Sequence, residues 1–204
     1  SRSFRFSTEN VKVLPQGSGA FFAETLTESG FVKKSDKYKK LFGILDVGYR
    51  TTDYILFENG QFINDSGDLS NDTGMRSVLE KLQSYIKQEY DREELEYLAP
   101  LLKGQMFDYR GETLDLNPIV TRLAKEHIRK RIEPEVLKRW EGRLNRFHKI
   151  IICGGGAHFF RDMPDFLKDH QKQIYIPDDP EMINAAGFCR YGAMQEALET
   201  HIPQ

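Results

Sequence analysis

The sequence predicts an α/β fold, a mixed sheet flanked by helices, on three observations. Leu41 to Val47 is a continuous apolar run, interrupted by Gly43 and ended by Asp46 and Gly48, as a strand buried on both faces reads. Asp53 to Phe57 and Gln61 to Asn64 follow as two more strands, joined by Asn59-Gly60, a pair that tolerates positive φ and so marks a tight hairpin. Beyond them, helical periodicity alternates with buried strands to the end of the chain. Three antiparallel strands followed by alternating helices and strands is therefore the expected order, with Leu41 to Val47 at the centre of its sheet.

Val11 to Leu14 reads as a short strand stopped by Pro15, which has no ladder donor. Gly19 to Leu26 suggests a packed helix, and Ser35 to Lys40 a polar, mobile connector. Asp72 or Thr73 caps a helix whose Met75, Val78, Leu79, Leu82, Tyr85 and Ile86 form one apolar face. An acidic helix from about Asp91 to Leu102 and a hairpin from Met106 to Leu116, turning at Arg110-Gly111, suggest a minor lobe. Asn117-Pro118 starts a long helix carrying Ile119, Val120, Leu123, Ile128 and Ile132, which Pro134 must kink or break before Val136, Leu137, Trp140 and Leu144 carry the pattern on. Ile150 to Cys153 is a buried strand running into Gly154-Gly155-Gly156, with Ala157 to Leu167 helical after it. Ile174 to Ile176 is the last strand. Asp179-Pro180 caps a final helix with Met182, Ile183, Ala186, Cys189, Ala193 and Ala197 facing inward.

Composition bounds the function. With 29 Lys and Arg against 31 Asp and Glu, the net charge of -2 gives no general attraction for nucleic acid, and direct binding to it is not expected. Ten Lys and Arg fall between Arg122 and Lys149, where a solvated helix face is the commoner use of such a stretch than a surface for a polyanion. No run approaches the roughly 20 apolar residues that span a bilayer, so no membrane partner is expected. Cys153 and Cys189 read as reduced core thiols, hence a cytoplasmic protein.

Two glycine turns carry the chemistry. Leu45-Asp46-Val47-Gly48-Tyr49-Arg50-Thr51-Thr52-Asp53 puts a carboxylate at a strand end, a glycine beside it and hydroxyls after it, which suits a phosphate and its magnesium. A strand-to-hairpin turn favours the same residues for purely structural reasons. Gly154-Gly155-Gly156-Ala157, after a buried strand, offers a second surface of close approach for phosphate, ribose or base, or simply a tight turn packing helix on strand.

Four segments in order, Val11 to Ala20 (VKVLPQGSGA), Leu45 to Asp53, Ile150 to Ala157 (IIICGGGA) and Asn184 to Gly192 (NAAGFCRYG), make the chain resemble the second, C-terminal half of the ParM or StbA plasmid-partition actins. These belong to the actin, Hsp70 and sugar-kinase superfamily, whose nucleotide lies between two domains of ribonuclease-H-like fold. The resemblance implies ATP or ADP with Mg²⁺ as ligands, with Asp46 positioning the metal through water. It places Gly48, Thr51 and Thr52 near the phosphates and Gly154, Gly155 and Gly156 at the α-phosphate and nucleoside. Lys125 and Glu126 fall where a long helix touches ribose or base. Gln16 matches the residue that orients the attacking water, a glutamate in the best-known partition actin and a glutamine in eukaryotic actin; glutamine aligns water but is no practical proton acceptor. Tyr49-Arg50 departs from the small residue usual in the family and crowds the phosphate approach, although Arg50 brings charge of its own.

The implied organisation is a core of residues 1–89 and 117–204, an inserted lobe of 90–116, and a missing first domain, since only ten residues precede Val11. The implied function is the nucleotide-binding half of a filament-forming ATPase for plasmid or DNA segregation, self-associating and linked to DNA by an adaptor protein, with the isolated chain inactive. Other uses of the fold stay open: a cytoskeletal or cell-division homologue, a small-molecule kinase, or a binding scaffold without turnover.

Overall fold

The computed structural model of the protein describes residues 11–63, 70–91 and 98–200. Its main sheet has the order β3 (Gln61–Ile63), β2 (Thr52–Glu58), β1 (Phe42–Val47), β7 (Lys149–Cys153), β8 (Ile174–Tyr175), with β4 (Ser70–Asn71) pairing β2. The central strand is β1, antiparallel to β2 on one side and parallel to β7 on the other. Beyond these lie β3, antiparallel to β2, and β8, parallel to β7. The short β4 pairs the start of β2. Asn59 and Gly60 both adopt positive φ, 55° and 71°, closing the β2–β3 hairpin as their types predict. The mixed sheet and its central strand are thus as expected.

Strand alternation divides the core into two layers. Phe42, Ile44, Ile55, Phe57, Ile151 and Cys153 face α1 (Ser18–Thr25) and α6 (Ile183–Thr200). Phe21 of α1 stacks on Phe57 with ring centroids 4.2 Å apart. On the other face, Leu45, Val47, Tyr54, Leu56, Ile150 and Ile152 meet α3 (Arg76–Tyr90), α4 (Asn117–His127) and α5 (Glu133–Arg139). The two helices of the first layer meet backbone to backbone: a Cβ on Gly19 would lie 2.1 Å from the Asn184 carbonyl oxygen, and one on Gly187 only 1.7 Å from that of Gly19. Only glycine permits that approach.

Several expectations are corrected by tertiary context. Val11 to Leu14 forms no strand and pairs with none among the described residues, and Val13 is 92% exposed. The expected connector contains a short helix, α2 (Ser35–Tyr38), whose Tyr38 packs on Phe21. Neither Asp72 nor Thr73 caps α3; the first turn is capped by carbonyls of the β1–β2 loop, as described below. The expected acidic helix falls largely on residues 92–97, outside the described residues; its end, Ala99–Lys103, is a 3₁₀ turn. At Pro134 the long helix is distorted rather than broken, one of the two outcomes expected there. A π-helical turn at Ile128–Ile132 absorbs the lost hydrogen bond between α4 and α5.

After the glycine turn only Ala157–Phe160 is helical, as a 3₁₀ turn. The final helix starts at Ile183 rather than at Pro180, and it is rotated from the expected face: Ile183, Phe188, Tyr191 and Met194 pack inward, while Met182, Ala186 and Cys189 are exposed. Cys189 is therefore no core thiol. The hairpin β5 (Phe107–Tyr109) and β6 (Glu112–Leu114) forms a separate two-stranded sheet, yet Phe107, Leu98, Leu101 and Leu116 belong to the main apolar cluster. Of the basic residues between Arg122 and Lys149, Arg129, Lys130, Arg139, Arg146 and Lys149 are neutralised by Asp165, Glu126, Glu135, Glu58 and Glu24, in keeping with a solvated face.

Candidate functional site

The pairing of the adjacent parallel strands β1 and β7 ends at Asp46 and Cys153, and the turns that follow form the site. The β1–β2 loop is a two-residue hairpin, Tyr49-Arg50, closed by the Gly48 N–H donating to Thr51 O at 2.9 Å. Three carbonyls of this loop, Gly48 O, Tyr49 O and Arg50 O, accept the N–H groups of Met75, Arg76 and Gly74 at 2.7–3.1 Å. Those donors precede and open α3, so backbone oxygens satisfy what a capping side chain would otherwise reach. The Thr52 hydroxyl is fully buried and donates to Thr73 O at 3.1 Å. The same carbonyl accepts the Nε2–H of the buried His127 at 2.8 Å, while Ser77 Oγ lies 3.0 Å from Nδ1, which fixes the neutral tautomer. Burial lowers the His127 pKa.

Asp46 is the best-defended carboxylate of the site. It is 4% exposed, and burial raises its pKa; the charge of Asp53, directly opposite on β2, adds to that, while hydrogen bonds from Asn184 and the Cys153 thiol oppose it. Asn184 Nδ2 donates to Asp46 Oδ2 at 2.8 Å, and Asn184 Oδ1 accepts the N–H of Ala20 at 2.9 Å. One amide therefore ties the starts of α1 and α6 to the end of β1. Cys153, buried beside this pair, has its pKa pushed well up by desolvation and then by Asp46, which keeps it a neutral thiol.

The three glycines after β7 are not equivalent. Gly154 holds φ +83°, and a Cβ there would fall 2.5 Å from Asp46 Oδ1; one on Gly156 would strike Val47 at 2.5 Å and Met75 at 2.9 Å. Both are required by packing. A Cβ on Gly155 would meet only Glu181 Oε1, at an ordinary 3.6 Å. Gly155 instead borders two adjoining pockets of about 170 and 400 Å³, which also share Leu102, Lys103, Phe159 and Glu181. Lys103 and Glu181 form an ion pair of 3.2 Å within this cleft.

The predicted residues divide accordingly. Gly48, Gly155, Gly156 and Lys125 line the cleft, whereas Asp46 and Gly154 line neither pocket and pack against each other. Gln16 is exposed and precedes Gly17, whose added Cβ would lie 3.3 Å from that of Asp46, so Gln16 stands at the same end of the sheet. Thr51 is half-buried beside Gly48. At two of the predicted positions the side chain is engaged elsewhere. Thr52 has its hydroxyl committed to Thr73 O and cannot offer it to a ligand. Glu126 accepts from Lys130 at 2.7 Å and does not line the cleft, because successive residues on a helix face different ways. The Gly48 N–H, used by the hairpin, provides close approach rather than a donor. Sequence reasoning missed Asn184, Lys103 and Glu181. Asn184 stands in a quoted motif, but its partners lie 138 and 164 residues away.

The residues present fit a hydrated Mg²⁺ rather than a caged metal. Asp46 and Asp53 face each other across a strand pair with raised cost for the Asp46 charge, which a nearby cation would offset. Among the described residues no cluster of three or more His, Cys, Asp or Glu is placed to enclose a metal ion. Magnesium typically keeps its waters and takes one or two carboxylates with phosphate oxygens.

Comparison with known proteins gives a consistent result. The profile described as "Archaeal actin homologue MreB-like, C-terminal" matches residues 44–165, more than half of the chain. No curated protein sequence matches. Among solved structures, the archaeal actin homologue Ta0583 superposes with a TM-score of 0.72 at 20% identity, covering 89% of this chain and 55% of that one; the same protein is also solved in complex with ADP. A 15-stranded ParM filament from Clostridium botulinum gives 0.68 at 23% identity, covering 94% and 55%. Bacillus thuringiensis ParM with ATP gives 0.59 at 16% identity, covering 87% and 54%. At these identities the likeness shows the fold, and the chain spans about half the length of the structures it matches.

Proposed function

The chain belongs to the archaeal MreB-like actin homologue family, and from that premise we propose that it supplies one wall of the nucleotide cleft of a filament-forming actin-like ATPase. The observation that carries this reading is the convergence of Asp46 and the Gly154–Gly156 turn at the carboxyl ends of adjacent parallel strands, where open α/β sheets bind their ligands. Support from relatives is of the same kind: similar folds are solved with ADP and with ATP.

In this reading ATP lies along the cleft with its phosphates toward Asp46 and its nucleoside over Gly155. Asp46 would hold hydrated Mg²⁺ through a bound water; the ion, when present, offsets the charge on the phosphates. Asn184 keeps the Asp46 carboxylate aimed and ionised against the cost of its burial. Gln16 would orient the attacking water, Thr51 would donate to a phosphate oxygen, and Lys125 would reach ribose or base. Tyr49, 49% exposed, itself lines the smaller pocket beside Gly48, so a ligand there would lie against it. Because in-line phosphoryl transfer is catalysed mainly by positioning, one wall alone should turn over ATP negligibly. The filament would be cytoplasmic; a similar fold is solved as a ParM filament, and use in moving DNA through an adaptor is what the motif resemblance to the plasmid-partition actins implies.

The test compares the 204-residue chain with a protein in which it is joined to a facing actin-like domain, reading phosphate release and ATP-dependent light scattering. Both signals are expected only in the joined protein. There, Asp46→Asn should abolish Mg²⁺-dependent turnover, and Gln16→Ala should slow hydrolysis more than it weakens ATP binding. Gly155→Val should weaken ATP binding by roughly tenfold or more while changing stability by less than about 1 kcal/mol. Unchanged turnover in the Asp46→Asn protein sinks the assignment.

A further inference from the structure

The opposite end of the sheet carries a basic pocket. Five lysines, Lys33, Lys34, Lys37, Lys39 and Lys40, lie within eight residues of a chain whose net charge is only -2. The fold sets several of them around the amino-terminal ends of β1 and β7. Lys33, Lys34, Lys37 and His148 line a pocket of about 210 Å³, with Phe42 at its back and Glu24 as its acidic member. Glu24 is engaged by Lys149. The Lys33 ammonium is held in place by Ala23 O at 2.9 Å and Glu24 O at 3.1 Å, at the carboxyl end of α1. Lys34 and Lys37 are exposed and, among the described residues, form no ion pair. His148 lies edge-on to Phe42, 5.4 Å between ring centroids, and among the described residues its imidazole makes no hydrogen bond.

We propose that this pocket binds a phosphate group. The net positive charge around it exceeds one, which favours a dianion over a single carboxylate, and lysine serves phosphate as a point charge. Its volume is below the roughly 300–1,000 Å³ of sites for whole drug-sized ligands, so it takes a compact head group rather than a nucleotide. His148 and Lys33 are both held below their ordinary pKa values, mainly by burial and secondarily by neighbouring cations. The charged groups acting on the imidazole are Lys40, Lys37, Lys149 and Glu24, with Lys33 and Lys34 lining the same pocket. A bound dianion would offset the repulsion and return a proton to His148. This site stands apart from the nucleotide wall, since Phe42 and Lys149 are the first pair of the parallel ladder whose last pair is Asp46 and Cys153.

The test titrates pyrophosphate into the 204-residue chain while the His148 ring resonances are followed by NMR. Pyrophosphate is expected to shift them and to raise the His148 pKa. The double change Lys34→Ala, Lys37→Ala should weaken binding roughly tenfold or more, for the loss of two charge-assisted contacts. Gly155→Val should leave it unchanged, which separates this site from the cleft. Sedimentation with phosphatidic acid vesicles identifies the source: retention through the same lysines points to a lipid head group, and its absence to a free phosphate. Silent His148 resonances, equal binding by the double variant, or equally tight binding of acetate would each overturn the proposal.

Discussion

Asp46 shows how one residue is held in a costly state. Its carboxylate is buried beside Asp53 and is stabilised mainly by the Asn184 amide. Burial raises its folded pKa above the unfolded value, so the folded state retains a proton that the unfolded chain has released. Stability from this group is therefore complete below the ordinary carboxylate range and is lost as pH rises through the raised value. Asp46→Asn should remove that loss. In urea titrations at pH 3 and pH 7, the variant is expected to gain on the wild type at the higher pH. A difference independent of pH would show that Asp46 ionises without cost. The glycines tell the same story of unequal roles: Gly154 and Gly156 answer to packing, whereas Gly155 is left open to the cleft. Three identical letters in a row do not reveal which one faces a ligand.

At the scale of elements, the contact of α1 with α6 depends on two missing side chains. A methyl group on Gly187 would overlap the Gly19 carbonyl, and the helices can separate only by pulling Asn184 from both Asp46 and Ala20. Gly187→Ala should cost about 1–3 kcal/mol or more as overpacking, while Cys189→Ala, on the exposed face of the same helix, should stay within about 0.5 kcal/mol. Chemical denaturation of both variants checks this; equal stabilities would mean that α6 does not seat on α1 as described. The face of α6 was misread because Met182, Ala186 and Cys189 look apolar at helical spacing, yet the glycine that must touch Gly19 sets the rotation of the helix. The capping of α3 was likewise hidden, since its acceptors are backbone carbonyls of a loop some 25 residues earlier, which side-chain signals cannot report.

Across the whole molecule, both layers of core share the same strands. Side chains alternate along β1, β2 and β7 between the α1/α6 layer and the α3/α4/α5 layer, so neither layer can be lost without disrupting the sheet that supports the other. The sole tryptophan, Trp140, lies in one layer and the buried Cys153 in the other. In a Cys189→Ala background, Trp140 fluorescence and Cys153 labelling are expected to follow one denaturation curve with a common midpoint. Separate midpoints would divide the chain into two folding units.

By itself, the sequence determined the α/β class, the central buried strand, both tight hairpins and the place of the two glycine turns, because these depend on local periodicity and on residues with particular backbone freedom. It also led to the actin-like fold, through four short segments in order. Tertiary structure alone decided the neighbours of Asp46, the free face of Gly155, the rotation of α6 and the gathering of lysines around His148. Each of these depends on which distant backbone groups meet across the sheet, and that proximity has no local signal for a single sequence to carry.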